Sequence, residues 1–336
     1  MKRFSTLMIS VLMSTLLVVL TACGQTPSKS PAAGGDSPQK ASSEQAAAYT
    51  PVTIQNMDRT LTFKEAPKRA VSLNQHTTEI MLALGLEKSM VGTAYMDDEI
   101  LPELKEKYAA IPVLAAKYPS LEVLLGADPD FVYGRKSAFA EKGVGTVEAL
   151  KEKGITAYVA QGTYVPFGSL DDVYADISNI GTIFNVKAKS DAMIDSMKAK
   201  VKEIQAKIGQ PEKPLRVFAY DSGDDKAYTA GKSLTTNLVQ LAGGKNIFGD
   251  VEKGWATVSW EEVVARDPEV ILIFDYDKPT AQEKIKSLQS NPALANVTAI
   301  KNNRFVIMPL SDVFEGVRNM TALDKMAKGF YPEKFK

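Results

Sequence analysis

The feature that most constrains this chain is a pattern that occurs twice, at residues 120–134 and again at residues 259–273. Each copy has a serine suited to cap a helix, an acid in the first turn, an apolar helical stripe, an Asp-Pro stop and an apolar strand. The acid is Glu122 in the first copy and Glu261 in the second, although Glu262 could take its place. The repeat predicts two similar α/β lobes, each with an exposed acid at a helix start.

The first 22 residues predict a secretory signal peptide that is removed from the mature protein. Lys2 and Arg3 precede an apolar run that ends in the lipobox Leu20-Thr21-Ala22-Cys23. Cys23 is the only cysteine of the chain, so we expect it to carry a lipid, and the mature protein can form no internal disulfide. Residues 23–50 are rich in Ser, Pro, Gly, Gln and Ala, which predicts a lipidated tether. We therefore expect a lipid-anchored protein on the extracytoplasmic face of the cell membrane.

The charge of the chain bears on its class of partner, and its length bears on the number of domains. The chain has 40 basic and 40 acidic side chains, and removal of the signal peptide takes away two basic ones and leaves a slight negative excess. A nucleic-acid partner is therefore not expected. The part that follows the tether is longer than one ordinary hydrophobic core, which favours two domains.

The order of predicted elements gives a fold class. Strands alternate with helices in both halves, which predicts an α/β protein with a central, mostly parallel sheet in each lobe. Two helical stretches, about 169–183 and 186–208, separate the halves. At 1.5 Å per residue the second would be ~34 Å long, enough for one rigid helix that joins the lobes. The predicted domains are an N-terminal lobe at 51–168, inter-lobe helices at 169–212 and a C-terminal lobe at 213–336.

Several segments together resemble one known family. They are the lipobox, both copies of the repeat, the long helix, and the segments Ser72–Gly85, Tyr228–Lys232 and Leu241–Phe248. In this order they resemble the helical-backbone solute-binding lipoproteins of ABC importers, in the branch that binds iron siderophores, haem or vitamin B12. The resemblance implies a monomeric receptor that captures a metal chelate between rigid lobes and delivers it to a membrane permease. It also implies that Glu122 and Glu261 dock on arginines of a homodimeric or heterodimeric permease.

In this fold the ligand cleft is lined by loops at the strand ends. The resemblance therefore directs attention to aromatic and basic residues on those loops, which would suit a flat, anionic or polyhydroxamate chelate of partly apolar surface. His76, the only histidine, is a candidate axial ligand or hydrogen-bond donor, and the tyrosines could ligate iron or stack on the chelate. The candidate ligand-binding residues are His76, Tyr95, Tyr133, Arg135, Tyr164, Tyr220, Trp255 and Arg318.

The leading interpretation is a non-enzymatic receptor for a ferric siderophore, without an intrinsic cofactor and with a ferric chelate as its ligand. Haem or a cobalamin-type corrinoid is the alternative ligand. A receptor for a bare divalent metal ion is a second alternative, but one histidine and no free thiol provide few ligands. A surface-anchored enzyme is the third, for which Asp97 and Glu315 would be the acid and base. No Gly-x-Ser-x-Gly hydrolase motif occurs in the sequence.

Overall fold

The computed structural model describes residues 49–209 and 211–336. The predicted signal peptide, Cys23 and almost all of the predicted tether lie outside the described residues. Within the described residues, no helix is both long and apolar enough to cross a membrane.

Strands and helices alternate along most of the described chain, and short 3-10 turns join several of them. The strands are β1 (Val52–Asn56), β2 (Arg59–Phe63), β3 (Ala70–Ser72), β4 (Met90–Ala94), β5 (Val113–Ala115), β6 (Phe131–Gly134), β7 (Thr156–Val159), β8 (Leu215–Ser222), β9 (Ala227–Ala230), β10 (Gly244–Asn246), β11 (Trp255–Val258), β12 (Val270–Asp275) and β13 (Phe305–Pro309). The helices are α1 (Gln75–Ala83), α2 (Lys105–Ala109), α3 (Leu121–Gly126), α4 (Val147–Glu152), α5 (Leu170–Ile183), α6 (Lys187–Ile208), α7 (Leu234–Leu241), α8 (Trp260–Arg266), α9 (Ala281–Ser290), α10 (Thr298–Lys301) and α11 (Asn319–Phe330).

The two lobes have different sheets. In the N-terminal lobe the strand order is β5-β4-β3-β6-β7, every pairing is parallel, and β1 and β2 form a separate hairpin. In the C-terminal lobe β8, β12 and β13 are parallel neighbours, whereas β9 and β11 add antiparallel strands on the other side. The prediction of a mostly parallel sheet is thus confirmed for the first lobe, and the second is mixed because a tight turn after β8 returns the chain as β9.

The sequence repeat is also a structural repeat. Asp128 and Asp267, which end the two copies' helices, both adopt left-handed backbone angles, with φ of 49° and 38°. An arginine near the first central strand of each lobe holds that turn: the Nε of Arg69 donates to the carbonyl of Asp128 at 2.5 Å, and the Nε of Arg216 donates to that of Asp267 at 2.6 Å. Each lobe therefore fixes its acidic helix against its sheet with the same device.

The outer face of each sheet packs against an apolar cluster formed by residues of the same lobe. Val132 and Leu150 belong to the apolar cluster outside the first sheet, and Phe218 and Leu288 belong to the one outside the second. All four side chains are buried.

The inner faces of both sheets contribute to one continuous apolar cluster. It includes Phe131 of β6, Ile180 of α5, Ile204 of α6 and Val217 of β8, all fully buried. The 22-residue helix α6 packs against α5 and α11 and links the lobes. Because protein interiors are close-packed, this shared core resists independent movement of either lobe.

Candidate functional site

A cavity of about 580 Å³ opens between the lobes and takes residues from both of them. The N-terminal lobe contributes the segment after β4 together with Lys117, and the C-terminal lobe contributes the segments after β12 and β13. A cavity of about 670 Å³ beside the end of α6 is larger, but no residue of the N-terminal lobe lines it. The inter-lobe cavity is lined by Met96, Asp97, Asp98, Lys117, Asp275, Tyr276, Asp277, Thr280, Pro309, Leu310, Ser311 and Phe314.

Aromatic and cationic groups alternate in a row that begins and ends at two lining residues of this cavity, Lys117 and Phe314. Tyr95 has a φ of 60°, which is unusual for a non-glycine residue, and it presents its ring between two cations. The Nζ of Lys117 lies 4.4 Å from its centroid and the guanidinium carbon of Arg135 lies 5.2 Å from it. The same carbon of Arg135 lies 5.1 Å from the ring of Phe314, and Arg135 pairs with Asp97 at 3.2 Å. Two predicted residues, Tyr95 and Arg135, are therefore together at the cleft.

His76 lies at the base of the cleft, in the first turn of α1. It is only 3% exposed, and neither ring nitrogen has a hydrogen-bond partner among the described residues. Burial, with a smaller effect of Arg135, lowers the pKa of His76 to about 3, so the imidazole is neutral at physiological pH. Its ring is tilted against that of Phe314 at 6.2 Å, and its Cβ lies close to Gly316. An unpaired buried imidazole costs stability, which makes it a candidate functional group.

Carboxylates outnumber cations in the cavity lining. Four aspartates line it, and Lys117 is the one basic residue among the lining side chains. The neighbouring Arg135 is already paired with Asp97, and burial raises the pKa of Asp97 in spite of that pairing. A cleft with excess carboxylate repels anions, and the expectation of an anionic chelate stays a prediction.

Arg318 forms a buried ion pair between the lobes. Its Nε and Nη2 donate to the carboxylate of Glu79 in α1 at 2.8 and 2.7 Å, and Glu79 is fully buried. Nη2 also donates to the carbonyl of Glu99, and Nη1 lies 3.6 Å from Asp312. The pairing with Glu79 raises the pKa of Arg318 although burial opposes this. The guanidinium that was expected to meet the ligand is thus occupied by protein groups in this structure.

The other predicted residues lie at different depths. Tyr133 is fully buried in the inner cluster, its hydroxyl has no hydrogen-bond partner in the described part of the chain, and burial raises its pKa well above the usual value. Tyr220 faces the outer cluster, where its hydroxyl donates to the carbonyl of Gly223, and burial raises its pKa to about 12. Tyr164 packs against the outer cluster of the first lobe, and Trp255, in β11, stacks on Tyr228. None of these four lines the inter-lobe cavity, and their role as ligand contacts stays a prediction.

The two acidic helices present one free acid each. Glu122 and Glu261 are exposed at the second helical position and make no ion pair or hydrogen bond with other described residues. Glu262, the alternative, accepts hydrogen bonds from the backbone and hydroxyl of Ser259 at 3.2 and 3.4 Å. Glu261 is therefore the structural counterpart of Glu122.

The sequence reasoning missed Lys117 and the segment Asp275–Asp277 as lining residues. A signal was present, because Asp275 ends β12 and the carboxyl ends of parallel strands meet at one edge of a sheet. Within the described residues, no group of three or more His, Cys, Asp or Glu side chains could hold a metal ion.

Comparisons with known proteins agree with this architecture. A family profile described as periplasmic binding protein matches residues 71–311. This chain belongs to that family. An uncharacterized ABC transporter substrate-binding lipoprotein of Bacillus subtilis, YvrC, is 30% identical over 326 residues, which cover 95% of both proteins. A Vitamin B12-binding protein of Vibrio parahaemolyticus is 27% identical over 208 residues, covering 62% of this chain and 71% of the relative.

A solved structure agrees as well. A periplasmic binding protein from Veillonella parvula has a TM-score of 0.80 and 33% identity, and the match covers 84% of this chain and 99% of the other. The chain is thus a substrate-binding protein of an ABC transporter. Substrate-binding proteins of this family are not enzymes. Membership of this class implies a membrane permease and a small ligand as partners.

Proposed function

We propose that the protein is a lipid-anchored receptor on the extracytoplasmic face of the membrane that captures a cobalamin-type corrinoid in the inter-lobe cleft. Acylation of Cys23 would supply the anchor, as the lipobox predicts. Delivery to the permease would use Glu122 and Glu261, whose free carboxylates lie on the matched helices α3 and α8.

The observation that carries this ligand class is the carboxylate-rich cleft. A corrinoid is an apolar macrocycle whose edge bears amide groups, and it has no net negative charge. Carboxylates such as Asp98 and Asp277 accept hydrogen bonds from amide N–H groups, and Phe314 offers an apolar ring face. The name of the Vibrio parahaemolyticus relative supports the same class.

A ferric siderophore is the second candidate, and Arg135 beside two aromatic rings is the observation that favours it. The charge of the cleft would restrict this candidate to hydroxamates, because three hydroxamate groups neutralise Fe³⁺. Three catecholates would leave a complex of strongly negative charge, which the four aspartates would repel.

Calorimetric titration of the mature domain with cobalamin, a ferric trihydroxamate, a ferric tricatecholate and haemin tests the proposal. We expect the tightest binding with cobalamin. Tight binding of a catecholate or of haemin, and none of cobalamin, would refute the assignment.

A charge-reversal variant tests the reason for that preference. Asp277 lines the cavity and is exposed, so Asp277→Lys should weaken cobalamin binding several-fold. Asp225→Lys is the matched control, because Asp225 is exposed outside the cavity lining and its reversal should leave the affinity unchanged. Equal affinities of all three proteins would show that cleft charge does not select the ligand.

A further inference from the structure

Helix α9 buries a lysine that has no acidic partner. Lys284 is 2% exposed, although lysines are almost never fully buried unless they are paired. Its Nζ donates a hydrogen bond to the carbonyl of Phe274 at 2.7 Å, and no carboxylate of the described residues forms an ion pair with it. Burial lowers the pKa of Lys284, although Asp221 and Asp275 oppose this from a distance. A buried ammonium group costs stability, which makes its remaining contact informative.

That contact is with the ring of Tyr276. The Nζ of Lys284 lies 4.1 Å from the ring centroid, within the range of a cation-π interaction. The hydroxyl of Tyr276 donates a hydrogen bond to Oδ2 of Asp221 at 2.8 Å, and the hydroxyl of Ser222 donates to the same oxygen at 2.8 Å. Asp221 is itself only 5% exposed. Two buried charged groups therefore hold one tyrosine, one at its ring and the other at its hydroxyl.

Tyr276 is part of the wall of the inter-lobe cavity. It directly follows β12, at the carboxyl end of a parallel strand, and it is partly exposed. Among the described residues that line the cavity, Tyr276 and Phe314 are the two aromatic ones. A side chain that is already fixed loses little rotamer freedom when a ligand packs on it. The ring of Tyr276 is thus preorganised for contact with an apolar surface.

The hydroxyl of Tyr276 is not suited to coordinate iron. Burial, together with the hydrogen bond to Asp221, raises the pKa of Tyr276 to about 12, so the phenol stays protonated at physiological pH. Coordination as a phenolate would require the loss of that proton and of the hydrogen bond to Asp221. Of the two roles that the sequence suggests for tyrosines, ligation and stacking, the geometry favours stacking for Tyr276.

We propose that Tyr276 is a ligand-contacting residue whose ring packs on the flat apolar face of the captured chelate, and that Lys284 and Asp221 are positioning residues that hold this ring in place. The inference rests on the proposed capture of a corrinoid, whose macrocycle provides such a face. A trihydroxamate complex has no extended planar face, so it should gain less from the ring. These three residues therefore favour planar ligands over compact ones.

Fluorine NMR with a probe on the ring tests the contact. Replacement of Tyr276 by 3-fluorotyrosine in the mature protein places the probe. The same replacement of Tyr228 is the control, because Tyr228 is 38% exposed and lies outside the lining of the inter-lobe cavity. We expect cobalamin to displace the resonance at position 276 and to leave the resonance at position 228 in place. Haemin and a diamagnetic gallium trihydroxamate are the comparison ligands.

The outcomes separate this contact from the choice of ligand. If cobalamin binds in calorimetry and the resonance at position 276 does not move, the contact is refuted and the proposed function stands. If cobalamin does not bind but haemin displaces the resonance, the corrinoid assignment fails and the contact stands. Displacement by the gallium complex alone, or by none of the three ligands, overturns the inference.

A double-mutant cycle tests the positioning role of Lys284. Lys284→Met keeps an unbranched side chain and removes the ammonium group, so the fold should be retained. We expect it to weaken binding of cobalamin, or of haemin if that is the ligand, about fivefold, whereas Lys286→Met, at an exposed lysine of the same helix, should not. In a Tyr276→Ala background, Lys284→Met should cause no further loss. An equal loss in both backgrounds, or unchanged affinity with Tyr276 present, would refute the positioning role.

A conservative variant tests Asp221 in the same binding assay. Asp221→Ala removes the acceptor of the Tyr276 hydroxyl and should weaken binding about fivefold, whereas the amide oxygen of Asp221→Asn still accepts the hydrogen bond and should restore most of the affinity. Equal affinity of Asp221→Ala and the unaltered protein, or no recovery in Asp221→Asn, would overturn its role.

Discussion

The two copies of the repeat, one in each lobe, share the same backbone device but differ at the third position of their helices. In both, a serine caps a short helix, a left-handed aspartate ends it, and an arginine holds the turn. At the third helical position the first lobe has Val123 and the second has Glu262, which completes a capping box with Ser259. The difference shows that an acid at a helix start can serve the helix or a partner, and that hydrogen bonding decides between these roles.

The largest loss of stability should follow from breaking the ion pair of Glu79 and Arg318, to which each lobe contributes one residue. Glu79→Leu removes the principal partner of the buried Arg318, and Arg318→Leu leaves the buried carboxylate of Glu79 without its cation, so each should reduce the free energy of unfolding by about 3–5 kcal/mol. The double variant should lose less than the sum of the single ones, because no unpaired charge remains. Urea denaturation measures all three. Losses below about 1 kcal/mol for the single variants would show that water reaches the pair.

The next prediction concerns the pH dependence of stability that arises from Asp176, a buried acid of α5 that contacts the first lobe. Burial raises the pKa of Asp176, which is fully buried, to about 8, whereas an unfolded aspartate has a pKa of about 3.9. Between these values the folded protein holds one more proton than the unfolded chain, so the free energy of unfolding should fall as pH rises. Asp176→Asn should remove this slope between pH 5 and pH 8 in denaturation at several pH values. If the variant keeps the same dependence of unfolding free energy on pH, another titratable group is responsible for it.

Charge reversal on both acidic helices tests whether they are functionally equivalent. Glu122→Lys/Glu261→Lys should reduce uptake in cells by roughly a hundredfold, because like charges then meet at the permease, while ligand affinity of the purified domain is retained. Each single variant should lose less. Glu141→Lys, at an exposed acid outside both helices, is the control. Normal uptake by a folded, anchored double variant would remove the docking assignment.

The two arginines that hold the turns after the acidic helices, Arg69 and Arg216, should contribute similar amounts to stability. Arg69→Ala removes hydrogen bonds to the carbonyls of Ala127 and Asp128 and an ion pair with Asp128. Arg216→Ala removes a hydrogen bond to the carbonyl of Asp267 and ion pairs with Asp267 and Glu269, so both variants should lose about 1–2 kcal/mol of unfolding free energy. Thermal and urea denaturation give the two values. A difference of more than about 1 kcal/mol would show that the turns are alike in shape but not in energy.

The smallest effect separates the two neighbouring acids of α8. Glu262→Ala should lower stability by about 0.5–1 kcal/mol through loss of the capping box and leave uptake nearly normal. Glu261→Ala should do the opposite, with stability unchanged and uptake reduced. The reverse pattern would make Glu262 the docking acid.

Local patterns were sufficient to predict the helix caps at Ser120 and Ser259 and the parallel first sheet, because each depends on nearby residues. The pairing of Glu79 with Arg318 joins residues 239 positions apart, and no local pattern contains it. The depth of Tyr133 and Tyr220 depends on which face of a strand each occupies. Strand alternation limits that choice to two faces, but only the packing of the helices shows which face lies inside.

The apolar cluster shared by both sheets has a consequence for cooperativity. Because Phe131 and Val217 belong to one core, opening either lobe would expose apolar surface of the other. The two lobes should therefore behave as a single foldon, with one unfolding transition in calorimetry and no stable half. A permease that takes the ligand from such a receptor must therefore open the cleft while the shared core stays packed, because one lobe cannot unfold without the other.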